Sequence, residues 1–215
     1  DMAACTSKTT ECRVPSRIRQ MEKQFEIMKL IILDRDGVIN RDSDQFIKSP
    51  EEWQPIEGSL DAIAFLTQAG YAIAVATNQS GIARGYFTVE TLNEMHGKMH
   101  RLVQQAGGEI SGVWFCPHTA DSHCDCRKPK SGMILDILDR FQAQAADTYL
   151  IGDSLRDLQA IANVGGKPIL VRTGKGMKTL AKESEHLPQG TQIFDSLLDF
   201  AVQLVRPNQP SPSAS

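Results

Sequence analysis

The chain has few aromatic residues, little net charge and no long apolar run. Phe, Trp and Tyr make up 6% of its 215 residues, and the formal net charge is −3 at pH 7. No apolar stretch approaches the roughly 20 residues that a membrane-spanning helix needs, so we expect no membrane partner. Without a basic stripe or a platform of aromatic side chains, we expect no nucleic-acid partner either.

The two ends of the chain differ in composition from its middle. Residues 1–27 are polar, mixed in charge and without a clear period, so we expect an appendage that is poorly ordered. Residues 206–215 are rich in Pro and Ser, which predicts a disordered tail. No apolar signal core precedes Met28, and this favours the cytoplasm over secretion. A single domain over residues 28–205, acting as a monomer, is the expected organisation.

Strand-like and helix-like segments alternate through this domain. Apolar runs predict strands at 30–32, 71–76, 110–115, 148–151, 169–171 and 192–194. Amphipathic periods predict helices at 59–69, 88–106, 132–142, 155–162 and 196–205. The alternation is typical of an α/β fold with a parallel sheet and helices on both faces.

Two carboxylates lie where the first strand ends. Asp34 and Asp36 are two residues apart, so their side chains start on the same side of the strand, and Gly37 then permits a sharp turn. Ligands of open α/β sheets bind at the carboxyl ends of the strands. Paired carboxylates at that edge can hold a hard cation, attack an electrophile or move protons. An ordinary Asp-Gly surface turn is the alternative.

Three further positions make the pattern more specific. Thr77 ends the second strand, Lys128 begins a Lys-Pro pair, and Asp153 follows a later strand. Together with Asp34 and Asp36, and in this order, they resemble the four motifs of haloacid dehalogenase (HAD) phosphatases across most of the chain. The resemblance implies a Rossmann-like parallel sheet. The segments between the motifs each have room for one helix and one strand, so no separate cap domain is expected.

The same resemblance implies how these carboxylates act. Asp34 would attack phosphorus and form an aspartyl-phosphate. Asp36 would protonate the leaving oxygen and then activate the water that cleaves the intermediate. A Mg²⁺ cofactor would be held by Asp34, the backbone carbonyl of Asp36 and Asp153.

Other positions would neutralise and hold the phosphoryl group. By resemblance, Lys128 offsets charge on the nucleophile, Thr77 and the backbone N–H of Asn78 hold phosphoryl oxygens, and Asp157 supports Lys128 or the metal. Taken singly, Thr77 could be a strand-end residue and Lys128 a surface lysine. Their joint occurrence is what favours a catalytic site.

A second constellation predicts a zinc-binding loop. Cys116 and His118 are followed after five residues by Cys124 and Cys126. Three thiolates and one imidazole form a closed Zn²⁺ site with no position left for catalysis, so a structural role is expected. His123 could replace His118 as a ligand, and incidental thiols with a disulfide are the alternative to zinc.

The loop after the second strand narrows the substrate. Its sequence, with Gln79, Ser80 and Arg84, resembles heptose bisphosphate phosphatases more than histidinol-phosphate phosphatases, both of which are zinc-loop HAD enzymes without a cap. Besides Asn78 and Lys128, these residues would contact a small phosphorylated sugar. Arg84 and Arg127, with Lys130 in reserve, would hold the phosphate that is not cleaved.

The expected reaction is therefore removal of the 7-phosphate of D-glycero-D-manno-heptose 1,7-bisphosphate, in heptose and lipopolysaccharide precursor synthesis. Histidinol phosphate or another small monoester remains open as the substrate. A non-catalytic zinc-binding module and a polynucleotide phosphatase are more distant alternatives.

Two other patterns suggest chemistry that we do not expect. His96 and His100 have the i, i+4 spacing of a zinc protease but lack its glutamate, so we interpret them as a solvated helix face. Residues 174–179 have the wrong spacing for a phosphate-binding P-loop, so we expect a basic surface loop that lies near the substrate.

Overall fold

A computed structural model of the protein describes residues 28–206; the predicted N-terminal appendage and nearly all of the predicted tail lie outside them. Six strands form one sheet: β1 Leu30–Leu33, β2 Ala72–Asn78, β3 Gly112–Cys116, β4 Tyr149–Gly152, β5 Lys167–Val171 and β6 Gln192–Phe194. They are arranged in the order β3-β2-β1-β4-β5-β6, and every neighbouring pair is parallel. The strand order reverses beside β1, which opens a crevice at the carboxyl edge.

Six α-helices accompany the strands within the described residues: α1 Ser59–Gln68, α2 Val89–Gln105, α3 Gly132–Phe141, α4 Leu155–Ala162, α5 Gly176–Glu183 and α6 Leu197–Val205. Short 3₁₀ turns lie at Ala120–Ser122, Ala145–Asp147 and Ser184–His186. No helix in this part of the chain is long and apolar enough to cross a membrane.

The core has two halves, one on each face of the sheet. Ile31 and Leu33 of β1 pack in a cluster with residues of α1, α2 and α6. Leu30 and Ile32 pack in a second cluster with residues of α3 and α4. Alternate side chains of one buried strand therefore serve both layers, and this confirms the predicted α/β fold with helices on both faces.

The connections leave no room for a cap domain. Between β1 and β2 the structure has a loop and α1, and between β2 and β3 it has a loop and α2. The carboxyl edge of the sheet is therefore covered by loops alone, as the sequence predicts.

One predicted loop was wrong. Residues 174–179 were expected to be a surface loop, but α5 begins at Gly176. A Cβ atom at Gly176 would lie only 1.8 Å from the carbonyl oxygen of Val171, so glycine is required for the close approach of this helix to β5. The Thr179 hydroxyl donates to the carbonyl of Asp153 at 2.9 Å and anchors the helix beside the site.

Candidate active site

A cavity of about 280 Å³ lies at the carboxyl edge of the sheet. The predicted site residues that line it are the carboxylates Asp34, Asp36 and Asp153, residues 77–80, and the two arginines Arg84 and Arg127. They lie at the end of β2, directly after β1 or β4, or in the loops beyond, so the parallel arrangement of the strands brings them together.

Lys128 is buried, is not among the residues that line this cavity, and contacts two carboxylates, one of which is the cavity residue Asp34. Its Nζ lies 3.0 Å from Oδ1 of Asp34 and 2.6 Å from Oδ1 of Asp157, and it donates to the carbonyl of Ala76 at 2.6 Å. Burial lowers the pKa of Lys128, but the attraction of Asp157 and Asp34 outweighs burial and leaves the pKa raised. Lys128 is therefore a fixed positive charge beside Asp34.

Asp157 lies behind Lys128 and is fully buried. Its other oxygen accepts from the backbone N–H of Ser154 at 3.1 Å and from the Ser154 hydroxyl, which forms a capping box at the start of α4. Burial raises the pKa of Asp157, but Lys128 and Arg156 outweigh it and hold the pKa below its usual range. With both oxygens engaged, Asp157 is suited to support Lys128.

Asp34 and Asp153 place two buried carboxylates close together. Burial raises the pKa of Asp34 to about 6, against the pull of Lys128 and with the repulsion of Asp157. Burial, Asp157 and Asp34 raise the pKa of Asp153 to about 8. One oxygen from each of Asp34, Asp153 and Asp157 lies within 4.8 Å of the others. Buried oxygen donors that repel one another fit a hard divalent cation.

Gly37 allows the turn after β1 and the side chain of Asp153 to lie close together. Its φ of 84° is in the left-handed region, and a Cβ atom there would lie 2.0 Å from Oδ2 of Asp153. The carbonyl of Gly37 accepts from the Thr173 hydroxyl at 2.6 Å. A larger residue at this position would push Asp153 away from the end of β1.

The carboxylate of Asp36 is held by three side chains. Arg35 donates to both of its oxygens, Asn40 to Oδ1 at 2.8 Å and Gln79 to Oδ2 at 2.9 Å. Burial raises the pKa of Asp36, but Arg35 and these hydrogen bonds outweigh it and keep the pKa lowered. Gln79 also donates to the Thr77 hydroxyl at 2.8 Å, which joins two of the predicted motifs.

Asn78 has a structural contact that its sequence position does not reveal. Its side-chain amide donates to the carbonyl of Lys128 at 3.0 Å and its Oδ1 accepts from the Lys128 backbone N–H at 3.1 Å. The end of β2 and the loop before α3 are thus joined by two hydrogen bonds. This pairing fixes the backbone from which Lys128 extends.

The predicted phosphate-binding cations separate into two groups. Arg84 and Arg127 line the cavity, and Arg127 donates to the carbonyl of His118 at 3.0 Å. Lys130, the reserve, was wrongly placed: it forms an ion pair with Asp125 at 3.1 Å and donates to a loop carbonyl. Lys130 therefore belongs to the cysteine loop and does not face the cavity.

The four predicted zinc ligands converge at the end of β3. Sγ of Cys116 lies 3.2 Å from Sγ of Cys126 and 3.7 Å from Sγ of Cys124, and Nδ1 of His118 lies 3.4 Å from Sγ of Cys126. All four donor atoms are within 4.8 Å of one another, and the cysteines form no disulfide. These distances between donor atoms are compatible with tetrahedral coordination of one Zn²⁺ by three sulfur atoms and one nitrogen atom.

Several side chains that line the cavity were given no role from the sequence, among them Arg156 and Phe46, whereas Lys175 belongs to the basic segment that was expected near the substrate. Arg156 follows Ser154 at the start of α4, and Lys175 precedes α5; both line the cavity. Nζ of Lys175 lies 2.8 Å from Oδ2 of Asp42, and so the loop after β1 is tied to the loop after β5. Phe46 lines the cavity with a φ of 65° and packs on Tyr86 at a centroid distance of 5.0 Å. Phe46 lies in a loop without a repeating pattern and gave no signal in the sequence.

The interpretation of His96 as part of a solvated helix face was wrong. His96 is buried on α2, and its Nε2 lies 3.4 Å from Nη1 of Arg35. The helix turns the same face inward at Leu92, Met95 and Met99. A signal was present, since His96 falls on the apolar stripe of its own helix.

Comparisons with known proteins agree with this geometry. A family model described as HAD-hydrolase-like matches residues 125–200, and one described as polynucleotide kinase 3 phosphatase matches residues 29–161. A curated D-glycero-β-D-manno-heptose-1,7-bisphosphate 7-phosphatase of Neisseria meningitidis is 68% identical over 84% of this chain and 97% of the relative. One of the same name from Pseudomonas putida is 53% identical, covering 83% and 100% of the two chains.

Solved structures extend the likeness to the fold. The D,D-heptose 1,7-bisphosphate phosphatase of B. bronchiseptica, crystallised with magnesium and phosphate, has a TM-score of 0.81 at 53% identity. It matches 84% of this chain and 99% of its own. The corresponding enzyme of Burkholderia thailandensis has a TM-score of 0.66 at 49% identity, over 83% and 99% of the two chains.

Proposed function

Since this chain belongs to the polynucleotide kinase 3 phosphatase family of HAD-like hydrolases and to the D-glycero-β-D-manno-heptose-1,7-bisphosphate 7-phosphatases, we propose that it removes the 7-phosphate of that sugar with Mg²⁺ as cofactor. The observation that carries the proposal is a single cavity. The carboxylate of Asp34, which lies against Lys128, lines it together with Arg84 and Arg127. This arrangement suits a small molecule with a phosphate at each end.

The reaction proceeds in two displacements on phosphorus. The Asp34 carboxylate forms a bond to phosphorus as the bond from phosphorus to the sugar oxygen breaks. Asp36 gives its proton to that oxygen, and the proton is acquired as the phosphate dianion approaches and raises the pKa of the carboxyl. Water, deprotonated by Asp36, then attacks the aspartyl-phosphate and releases inorganic phosphate and free Asp34.

The protein supplies positive charge and hydrogen bonds to this chemistry. Lys128 offsets the charge on Asp34 and the phosphoryl oxygens, and Asp157 holds Lys128 in place. Thr77 and Asn78 line the same cavity as Asp34, where the Thr77 hydroxyl and the backbone N–H of Asn78 would hold phosphoryl oxygens. The same interactions grow stronger as charge develops, which is the requirement for catalysis.

Two metal ions complete the proposal. Asp34 and Asp153 with the backbone carbonyl of Asp36 would hold Mg²⁺, which supplies charge neutralisation at the phosphoryl group. Cys116, His118, Cys124 and Cys126 would hold Zn²⁺ as a structural ion. The hydrogen bond from Arg127 to the carbonyl of His118 then links this loop to the substrate cavity.

Arg84 and Arg127 are proposed to bind the phosphate on C1. A guanidinium can contact two phosphate oxygens at once, and this gives orientation as well as affinity. Gln79 and Ser80 line the cavity beside them, where a polyol would lie. The thiol ligands require a reducing compartment, so we place the enzyme in the cytoplasm, and we expect a monomer.

The test is a comparison of substrates with Mg²⁺ present. We expect kcat/KM to be highest for heptose 1β,7-bisphosphate, with the 1α anomer, histidinol phosphate and a 3′-phosphorylated oligonucleotide as competitors. Removal of the C1 phosphate should raise KM in the wild type, raise it less in Arg127→Ala, which keeps Arg84, and make little difference in the double variant Arg84→Ala/Arg127→Ala. Arg140→Ala, an exposed arginine of α3, serves as the matched control.

Each competitor defines an outcome against the proposal. A preference for histidinol phosphate would reassign the substrate and leave Arg84 and Arg127 without their role. A preference for the oligonucleotide would favour the activity named in the second family model. Turnover of none of them, by protein confirmed to carry both metals, would favour a binding module.

A further inference from the structure

Arg35 lies between the proposed catalytic residues Asp34 and Asp36 in sequence, and it is completely buried. Its Nε donates to Oδ1 of Asp36 at 3.1 Å, and its Nη2 lies 2.9 Å from both Oδ1 and Oδ2. A fork of this kind fixes the plane of a carboxylate as well as its position. The guanidinium does not line the cavity, so it acts on Asp36 from the protein side.

His96 provides the remaining contact of that guanidinium. Nη1 of Arg35 faces Nε2 of His96 at 3.4 Å. A guanidinium can only donate, so Nε2 of His96 accepts and the neutral ring carries its proton on Nδ1. Burial, followed by the charge of Arg35, lowers the pKa of His96 to about 3 and favours the same neutral form. The ring of Phe115 lies 6.4 Å away on β3, so the imidazole is packed between α2 and the sheet. A neutral acceptor satisfies Nη1 without adding a second carboxylate to compete for Arg35.

The other donors to Asp36 distinguish its two oxygens. Asn40, which does not line the cavity, donates to Oδ1 at 2.8 Å. Gln79, which does line it, donates to Oδ2 at 2.9 Å and can exchange this bond for one to substrate. Oδ2 is therefore the oxygen whose hydrogen bonds a ligand in the cavity can change, and we assign proton transfer to the leaving group to it.

We infer that Arg35 and His96 are positioning residues for acid catalysis: His96 holds Arg35, and Arg35 holds Asp36 with Oδ2 directed toward the leaving oxygen. The inference rests on the proposed function, in which Asp36 is the general acid. It adds a buried side chain of α2, 61 residues from Arg35 in sequence, to the catalytic machinery. A neutral histidine here transmits position and takes no proton in the reaction.

The leaving group provides a test that a merely structural role would not pass. The sugar oxygen must be protonated as it departs, whereas p-nitrophenolate is stable without a proton. Because kcat/KM reports only on steps through phosphoryl transfer to Asp34, we compare kcat/KM for heptose bisphosphate and for p-nitrophenyl phosphate. In His96→Leu, which removes the acceptor, we expect a loss of about tenfold or more on the sugar and about twofold or less on the aryl ester.

Two further variants keep the outcome decisive. His96→Gln retains an acceptor and should recover the sugar activity to within about threefold of the wild type. If His96→Leu does not fold, Arg35→Lys keeps the buried cation, loses the fork and should give the same selective loss. Equal losses on both substrates in these variants would overturn the inference.

Asp36→Asn separates this inference from the proposal beneath it. We expect Asp36→Asn to lose activity on the sugar selectively, by about 100-fold or more. If it does and the His96 and Arg35 variants do not, the positioning role fails and the proposed function stands. If Asp36→Asn affects both substrates alike, the acid role of Asp36 and the inference both fail.

Discussion

Nζ of Lys128 lies 2.6 Å from Oδ1 of Asp157, and neither side chain is accessible to solvent beyond 1%. Lys128 also contacts Asp34, so one buried cation is shared by a carboxylate that supports it and a carboxylate that is proposed to react. Buried ion pairs contribute little net stability, yet the loss of one partner is costly because a charge is left without compensation. The pair Lys128–Asp157 therefore makes the fold depend on a group that serves catalysis.

Asp157→Asn should show this dependence. Lys128 keeps Asp34 but loses its second carboxylate, and the cap on Ser154 is weakened, so we expect the free energy of unfolding to fall by about 2–4 kcal/mol. kcat should fall as well, since Lys128 is no longer held. Denaturant unfolding and steady-state kinetics measure both, with the exposed Asp139→Asn as control. A stability within about 0.5 kcal/mol of the wild type would show that the pair has no such role.

Asp34→Asn should remove turnover and keep the fold. The amide has the shape of the carboxylate but cannot attack phosphorus, so we expect kcat to fall by about 10³-fold or more. Stability should change little, because two effects oppose each other: the variant avoids the cost of burying the Asp34 charge, which raises its pKa to about 6, but Lys128 loses one of its two carboxylate partners. Acid-quenched wild type should retain ³²P from labelled substrate and the variant should retain none. Labelling of Asp34→Asn would assign the nucleophile to another residue.

The sequence predicts much of this site because its parts are local. Asp34, Asp36 and Thr77 each end an apolar strand, and parallel strands present their carboxyl ends at one edge. The zinc ligands lie within one short loop, where spacing alone brings Cys116 and Cys126 together. In such cases the proximity of two residues in space follows from their positions at the ends of parallel strands or from their short separation in sequence.

The parts that were missed depend on packing between distant segments. His96 is polar by type, and only the packing of α2 on the sheet shows that it meets Arg35. The helix α5 has two glycines near its start, which disfavour a helix by propensity. It forms because Gly176 fits against Val171 and Thr179 bonds to Asp153. Tertiary contacts of this kind are not encoded in any short window of sequence.

Zinc removal should destabilise the loop at the end of β3. We expect about one Zn²⁺ per chain, and Cys126→Ser should lower this content and the Tm, since a structural zinc contributes its binding energy to folding. The replaced thiol lies 3.2 Å from Cys116 and 3.4 Å from His118. Metal analysis and thermal unfolding measure the effect, with Cys12→Ser as a matched control outside the predicted ligand set. An unchanged Tm after verified zinc loss would contradict a structural role.

At position 46 we expect glycine to be less destabilising than alanine, which is the reverse of their usual order. The φ of Phe46 is 65°, in the left-handed region that costs L-residues about 1–2 kcal/mol and glycine almost nothing. Phe46→Gly and Phe46→Ala both lose the contact with Tyr86, but only glycine removes the strain. We expect Phe46→Gly to be about 1 kcal/mol more stable than Phe46→Ala. Denaturant unfolding measures the difference, and a more stable alanine variant would rule out strain at this position.

Both Phe46 variants should also raise KM, because the ring forms part of the cavity wall. Tyr86→Ala removes the same ring contact but leaves the Phe46 side chain in place, so it separates packing from substrate contact. We expect its KM to stay closer to that of the wild type. An equal rise in KM in all three variants would mean that Phe46 acts only through Tyr86.

His96 should make the protein more sensitive to acid. Burial and Arg35 lower the pKa of His96 from 6.5 to about 3, so between these values the unfolded chain binds a proton that the folded chain does not. Stability therefore rises with pH across this window and is lost as pH falls. At about pH 5 this single histidine lowers the free energy of unfolding by about 2 kcal/mol relative to neutral pH.

His96→Gln has no such proton to bind, so its free energy of unfolding should fall by about 2 kcal/mol less than that of the wild type between about pH 7.5 and pH 5. His186→Gln, at an exposed histidine, should follow the wild type. Parallel pH profiles for wild type and His96→Gln would mean that His96 is not held neutral in the folded protein.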